Sequence, residues 1–267
     1  MKKLLVYGAA LLLAFSCSQD KAPKMLVLYY SQTSNTKLIA EEIVSRTGAD
    51  IEEIVCLEPY DGSYQETIER CIKERETGYI PPVQALAANL ADYDVIFLGY
   101  PVWFGTYAPP VAALLETVDL SGKKVVPFCS FGSGGLDSSS RDLAQKQPGA
   151  EVVPGYGVRA ARVEAIPAEV ERFLLEGGFV EGEYEPYEAF SQSREVTEEE
   201  AAIFDEAVGT YPMIQAKAQH VCSRPVPAGM EYIFEALDSR RPDDPRTIKV
   251  HVLDLEGQAP VFTQVIR

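Results

Sequence analysis

With 267 residues, 46% of them hydrophobic and 24% charged, the chain is long enough to bury one large core or two smaller ones. Its formal net charge of −16 gives a surface that repels nucleic acid and anionic lipid headgroups, so nucleic-acid binding is disfavoured and no basic patch is available to hold a membrane. The five cysteines contain no C-x-x-C pair and only His220 and His251 could partner them, so a zinc or thiol-redox site has no support.

Lys2 and Lys3 precede an apolar stretch from Leu4 to Phe15. That is a positive n-region followed by an h-region too short to span a bilayer, and it predicts a signal peptide over 1–16. The stretch runs into Ala14-Phe15-Ser16-Cys17, and polar residues begin directly after it. This segment resembles the lipobox of bacterial lipoproteins. The resemblance implies a diacylglycerol on the Cys17 sulfur, a lipidated linker over 17–24, and an exported protein lipid-anchored to a bacterial cell-envelope membrane. An ordinary secretory peptide with an incidental cysteine is the alternative. Loss of Lys2 and Lys3 with the leader makes the mature chain still more acidic, so the lipid alone would hold it at a membrane.

From residue 25 apolar runs of strand length alternate with helix-like segments. Met25 to Tyr30 is apolar on both faces, as a central parallel strand requires. A polar loop follows, and then Leu38, Ile39, Ile43 and Val44 at helical spacing. Ile51 to Leu57 reads as a second strand, Tyr64 to Arg75 as a helix, Asp94 to Tyr100 as a third strand and Val111 to Val118 as a helix. Lys123 to Cys129 is a fourth strand, broken in rhythm by Pro127, which cannot donate to a ladder. Glu151 to Val153 is a short fifth strand, and Pro167 to Glu176 closes as a helix. The alternation predicts an α/β fold, a doubly wound five-stranded parallel sheet that binds ligands at the carboxyl ends of its strands.

Three loops fall at those ends. Ser31-Gln32-Thr33-Ser34-Asn35-Thr36 offers hydroxyls and backbone N–H groups at a helix start, where an anion is favoured. It has no lysine or arginine, and the G-x-x-x-x-G-K-[ST] pattern is absent, so a monophosphate suits it better than a triphosphate; a plain helix cap is the bland alternative. Pro101-Val102-Trp103-Phe104-Gly105-Thr106 holds the only tryptophan of the chain beside a second aromatic, which suits a flat ring, unless Trp103 merely covers the sheet end. Ser130-Phe131-Gly132-Ser133-Gly134-Gly135 carries enough glycine for close backbone approach to a ligand, but not the spacing of a dinucleotide fingerprint.

Tyr30 to Thr36 resembles the flavodoxin phosphate loop, with Ser34 where glycine is common, and Gly99 to Gly105 resembles the flavin-stacking loop of the same family. Pro59-Tyr60 and Ser121-Gly122-Lys123-Lys124 extend the likeness, which runs from about Met25 to Glu181. The resemblance implies a flavodoxin-like sheet of order 2-1-3-4-5 and flavin mononucleotide (FMN) as cofactor. Ser31, Thr33, Ser34, Asn35 and Thr36 would bind the phosphate. Pro101, Val102, Trp103, Phe104 and Gly105 would line the isoalloxazine, and Ser130, Phe131, Gly132 and Gly134 would close its other edge. Phe131 stands where many flavodoxins present a tyrosine to the second flavin face.

The flavin would carry the redox chemistry, with no catalytic side chain required. Between residues 25 and 183 acidic residues are twice as many as basic ones, a field expected to lower the potential of a reduced, anionic flavin. Three functions follow: an electron carrier for a redox partner protein, an FMN-dependent NAD(P)H:quinone-type reductase acting on a small quinone-like acceptor, or a cofactor-free interaction module. The rhythm changes near Glu183 to Ser193, which divides the chain into domains over 25–184 and 185–267. In the second, Thr197 caps a helix to Val208, and strands are expected at Met213 to Cys222, Met230 to Leu237, Thr247 to Leu253 and Val261 to Ile266, with the last turn at Glu256-Gly257-Gln258. This smaller α+β unit resembles the cystatin fold, and Val226 to Tyr232 resembles the segment around its Q-x-V-x-G motif. Pro225 at the glutamine position departs from that motif and argues against protease inhibition and for a docking or spacer role. Its two histidines are expected to have no bearing on the flavin.

Overall fold

The computed structural model describes residues 22–209, 211–240 and 243–267. The expected leader over 1–16 and the expected lipidation site Cys17 lie outside the described residues.

The first unit runs β1 (Met25–Tyr29), α1 (Asn35–Thr47), β2 (Asp50–Glu53), α2 (Tyr64–Thr77), β3 (Val95–Trp103), β4 (Thr106–Tyr107), α3 (Pro109–Thr117), β5 (Lys124–Phe131), α4 (Leu136–Lys146), β6 (Glu151–Val152), β7 (Tyr156–Arg159) and α5 (Ile166–Glu176). Its sheet has the order β2-β1-β3-β5-β6, with β7 also on β5 and β4 folded back on β3. All pairs except β3–β4 are parallel, so the expected 2-1-3-4-5 order holds. The period of two in each strand splits the core into two layers. Leu26, Leu28, Ile96, Leu98 and Val125 pack with Cys71 of α2, Leu114 of α3 and Leu143 of α4. Val27, Phe97, Val126, Phe128 and Val158 pack on the other side with Ile39 of α1 and Val170 of α5.

Three departures from the sequence expectations have local causes. The second strand stops at Glu53, because its continuation makes only an isolated bridge from Cys56 to Val83. The fifth strand is two pieces, β6 and β7, separated at Val153-Pro154-Gly155. Pro127 sits opposite this break, where a Cβ on Gly155 would come within 2.0 Å of the Pro127 carbonyl oxygen, so the missing N–H falls where no strand could accept from it. Helix α4 is the third, unsignalled because its Asp-Ser-Ser-Ser-Arg-Asp run is polar. Ser139 within it is nevertheless fully buried, donating to the Gly135 carbonyl at 2.6 Å and accepting from the Tyr100 hydroxyl at 3.1 Å.

The second unit comprises β8 (Arg194–Glu195), α6 (Glu198–Val208), β9 (Ala216–Val226), β10 (Gly229–Asp238), β11 (Arg246–Leu255) and β12 (Val261–Ile266). It is an antiparallel sheet of order β12-β11-β10-β9-β8, one strand more than expected. Ile248, Val250 and Val252 face α6 with Phe204 and Phe234, whose rings cross at 5.3 Å. The connecting segment touches both units: Arg172 of α5 lies 3.2 Å from the Tyr187 ring centroid, and Arg224 of β9 lies 4.3 Å from that of Phe190.

Thr197 caps α6 through a reciprocal box with Glu200. Arg194 donates to both Glu200 oxygens at 2.6 and 2.7 Å. These bonds outweigh burial and hold the Glu200 carboxyl down to about 2 from 4.5. A carboxylate depressed in the folded state stabilises above its unfolded value and loses that contribution as pH falls from 4.5 toward 2. Allowing for the half-exposed Arg194, the stabilisation is about 2 kcal/mol. Urea unfolding is therefore expected to show Glu200→Gln destabilised by that amount at pH 7, with a shallower decline toward pH 3 than the parent. Parallel acid limbs for the two proteins would contradict the assignment.

Candidate site at the carboxyl ends of the sheet

The chain leaves β1 and enters α1 through Ser31 to Ser34. Ser34 has a left-handed backbone, φ 67°, and makes no side-chain cap bond. This explains why glycine suits the position, since a Cβ there costs about 1–2 kcal/mol. The Lys37 N–H donates to Ser31 Oγ at 3.2 Å and the Leu38 N–H to the Ser34 carbonyl at 2.9 Å. Among the described residues, the N–H groups of Thr33, Ser34, Asn35 and Thr36 donate to no protein acceptor. Four free donors at a helix N-terminus, beside the exposed Thr33 and Ser34, form a cradle for an anion.

The second loop is the tip of the β3–β4 hairpin. Trp103 pairs with Thr106 across Phe104 (φ 51°) and Gly105 (φ 85°). Glycine meets this geometry freely, but phenylalanine in the left-handed region is strained, and Phe104 remains 49% exposed. The Arg75 guanidinium lies 5.1 Å from its ring centroid. The Trp103 ring stands nearly perpendicular to Tyr60 at 5.0 Å and to Tyr30 at 6.1 Å. Both tyrosines are fixed in turn. The Tyr30 hydroxyl donates to Gln32 Oε1 at 2.5 Å, and Gln32 Nε2 donates to the Tyr60 carbonyl. The Tyr60 hydroxyl donates to Glu74 at 2.6 Å, under Arg70 at 3.9 Å from its ring centroid. Burial and the Glu74 carboxylate push the Tyr60 phenol well above its ordinary value, so it stays a donor.

The third loop joins the other two. Thr36 Oγ1 and Ser130 Oγ, both buried, lie 2.9 Å apart. A Cβ on Gly135 (φ 124°) would meet Val102 Cγ1 at 2.5 Å, and Ser138 at the start of α4 donates to the Gly105 carbonyl. All three expected segments thus meet at one edge of the sheet.

Two individual expectations need correction, for Thr36 and Phe131. The Thr36 hydroxyl braces Ser130 in the interior, so its contribution to an anion is its backbone N–H. Phe131 is not at a flavin face: its ring is 4% exposed, packed in the core where a Cβ on Gly157 would lie 2.6 Å from it. Gly132 and Gly134 keep their place in the third loop and also meet groups that hold it from behind. Arg159 Nε donates to the Gly132 carbonyl at 3.0 Å, and a Cβ on Gly134 would lie 2.1 Å from the Val265 oxygen. His251 of β11 is half-buried in the second unit, and burial lowers its pKa against the opposing pull of Glu231 and Asp137. Sequence reading placed Gln32 and Tyr60 in the first loop and after the second strand but did not foresee the bridge between them, and it missed Arg159, which belongs to no run of distinctive composition.

Residues 24–170 match the family model described as Flavodoxin. The chain belongs to the flavodoxin family. A Bacteroides eggerthii protein provisionally described as a flavoprotein is 27% identical, with 57% of this chain and 99% of that one covered and a TM-score of 0.48. A Bacteroides uniformis protein, described in the same way, is 24% identical over 57% and 99%, with a TM-score of 0.50. A Lactobacillus acidophilus flavoprotein, solved in complex with FMN, is 24% identical over 57% and 98%, with a TM-score of 0.48. Comparison with curated proteins finds no match. The flavodoxin cofactor is FMN, and the residues fit it: neutral donors for a phosphate that stays bound, and two aromatics with two glycine-bearing turns for a planar ring.

Proposed function

We propose that this chain is an FMN-dependent electron-transfer protein, exported and held at a bacterial envelope membrane by a lipid on Cys17. The observation that carries the redox reading is the four unpaired N–H groups of residues 33–36, joined through Thr36–Ser130 and Tyr60–Trp103 to the aromatic hairpin. When bound, FMN supplies the electron chemistry. The chain's part is to seat the phosphate, orient the ring between the second and third loops, and set the local field.

A carrier is favoured over a reductase because the sequence offers no recognisable nicotinamide-binding motif. The acidic surface suits a redox partner with a basic docking face, although a small quinone-like acceptor is compatible with the exposed hairpin tip. The one-helix antiparallel unit, read as cystatin-like, serves as a docking element, with Pro225 in β9 arguing against protease inhibition. Two experiments test this. FMN-loaded protein mixed with NADH or NADPH is expected to be reduced no faster than free FMN; rapid, saturable reduction would replace the carrier with the reductase. Cys17→Ala in the full chain is expected to move the protein from the membrane pellet to the supernatant. An unchanged pellet fraction would remove the lipid anchor.

A further inference from the structure

The third flavin loop is held from outside by the second unit. β12 is an edge strand, and such an edge leaves N–H groups seeking acceptors. The Val265 N–H, on that edge, donates to the Ser133 carbonyl at 2.6 Å. Two arginines complete the contact. Arg159, at the end of β7, donates to Gly132 and Phe262 carbonyls, each at 3.0 Å, with its guanidinium 3.4 Å from the Phe262 ring centroid. Arg267 donates to Ser133 Oγ at 3.4 Å and to the Met213 carbonyl at 2.8 Å. Neither arginine forms an ion pair among the described residues, although the chain has acid to spare. The close approach of Gly134 to the Val265 backbone leaves no room for a side chain there.

We infer that the second unit completes the flavin site, with Val265, Arg267 and Arg159 pinning residues 132–134 in the conformation that receives the ring and Arg159 and Arg267 supplying the positive charge nearest that loop. This rests on the FMN reading above. Three carbonyl or hydroxyl oxygens of the loop are drawn outward to these donors, so the loop meets a ligand already ordered and the ordering cost is not levied on binding. Both guanidiniums are partly desolvated, and burial lowers the pKa of each. Charge in that setting acts more strongly than charge in water. It opposes, locally, the acidic field of the whole domain. Arg159 and Arg267 are positioning residues, since they act through the loop.

The test uses the full chain with Arg159→Met, Arg267→Met and the double variant, which keep the aliphatic stems and remove the donors and charge. Arg246→Met, whose partner is Asp244 in the turn before β11, serves as control. FMN fluorescence titration is expected to show the double variant weakened about tenfold, with its flavin midpoint potential more negative than the parent's and Arg246→Met unchanged. Hydrogen exchange of the Val265 amide without FMN is expected to be faster in the double variant. A folded double variant with parental affinity and potential would overturn the inference. Should the parent itself bind no FMN, the flavin reading fails separately, and the exchange measurement still decides the clamp: parental protection of the Val265 amide in the double variant overturns it.

Discussion

Trp103→Ala is expected to weaken FMN binding between tenfold and a hundredfold. Removing one aromatic platform from a planar ring costs about 1–3 kcal/mol. The ring is also the keystone between Tyr30 and Tyr60, so its loss frees the Gln32 bridge that shapes the phosphate loop. A stability loss of about 2 kcal/mol should accompany it, lower than for a fully buried aromatic because Trp103 is only partly covered. Fluorescence titration and thermal unfolding separate the two effects. Trp103→Phe should recover most of the stability and part of the affinity. Parental affinity in Trp103→Ala would show that the hairpin does not touch the flavin.

Gly99→Val is expected to be the most damaging single change in the first unit. Gly99 lies on β3 between β1 and β5, and its N-terminal neighbours are fully buried. A Cβ there would stand 2.2 and 2.3 Å from two carbons of the Phe128 ring. That ring is itself 0% exposed, enclosed by α1 and α5, and cannot step aside. The overpacking costs about 3–4 kcal/mol. It also reaches the site, because the Gly99 carbonyl accepts the Tyr30 N–H at 3.0 Å where the chain turns into the phosphate loop. Urea unfolding should show the loss, and Phe128→Leu in the same chain should restore part of it, giving a coupling of opposite sign to the single changes. Full stability in Gly99→Val would mean the two strands are not in this register.

The parallel sheet was legible because central strands must be apolar on both faces, and Leu26 to Tyr29 and Val95 to Tyr100 are. The phosphate loop was legible because hydroxyls before a helix of the right period have few other uses. What failed to show was polar structure turned inward. Helix α4 hides behind serines whose hydroxyls bond Gly135 and Tyr100 inside the protein. Phe131, placed by analogy at a flavin face, is drawn into the core by the gap that Gly157 leaves, a long-range fit no local pattern reports. The docking of β12 on the third loop was invisible for a similar reason. Val265 and Arg267 look like the end of an ordinary strand, and the edge hydrogen bond they bring depends on which loop lies opposite. Strain gave a further clue that composition could not: Phe104 holds a positive φ while exposed, and Ser34 holds one where glycine would be free.

The most direct measurement is a titration of the folded chain, produced from residue 18 onward, with FMN, following the visible spectrum and the quenching of flavin fluorescence. One FMN per chain, bound with resolved absorption bands and strong quenching and competed weakly by riboflavin, is the predicted result, since riboflavin lacks the phosphate that residues 33–36 receive. A folded protein that leaves FMN fluorescence unchanged, or binds riboflavin equally well, would contradict the assignment of the three loops to this cofactor.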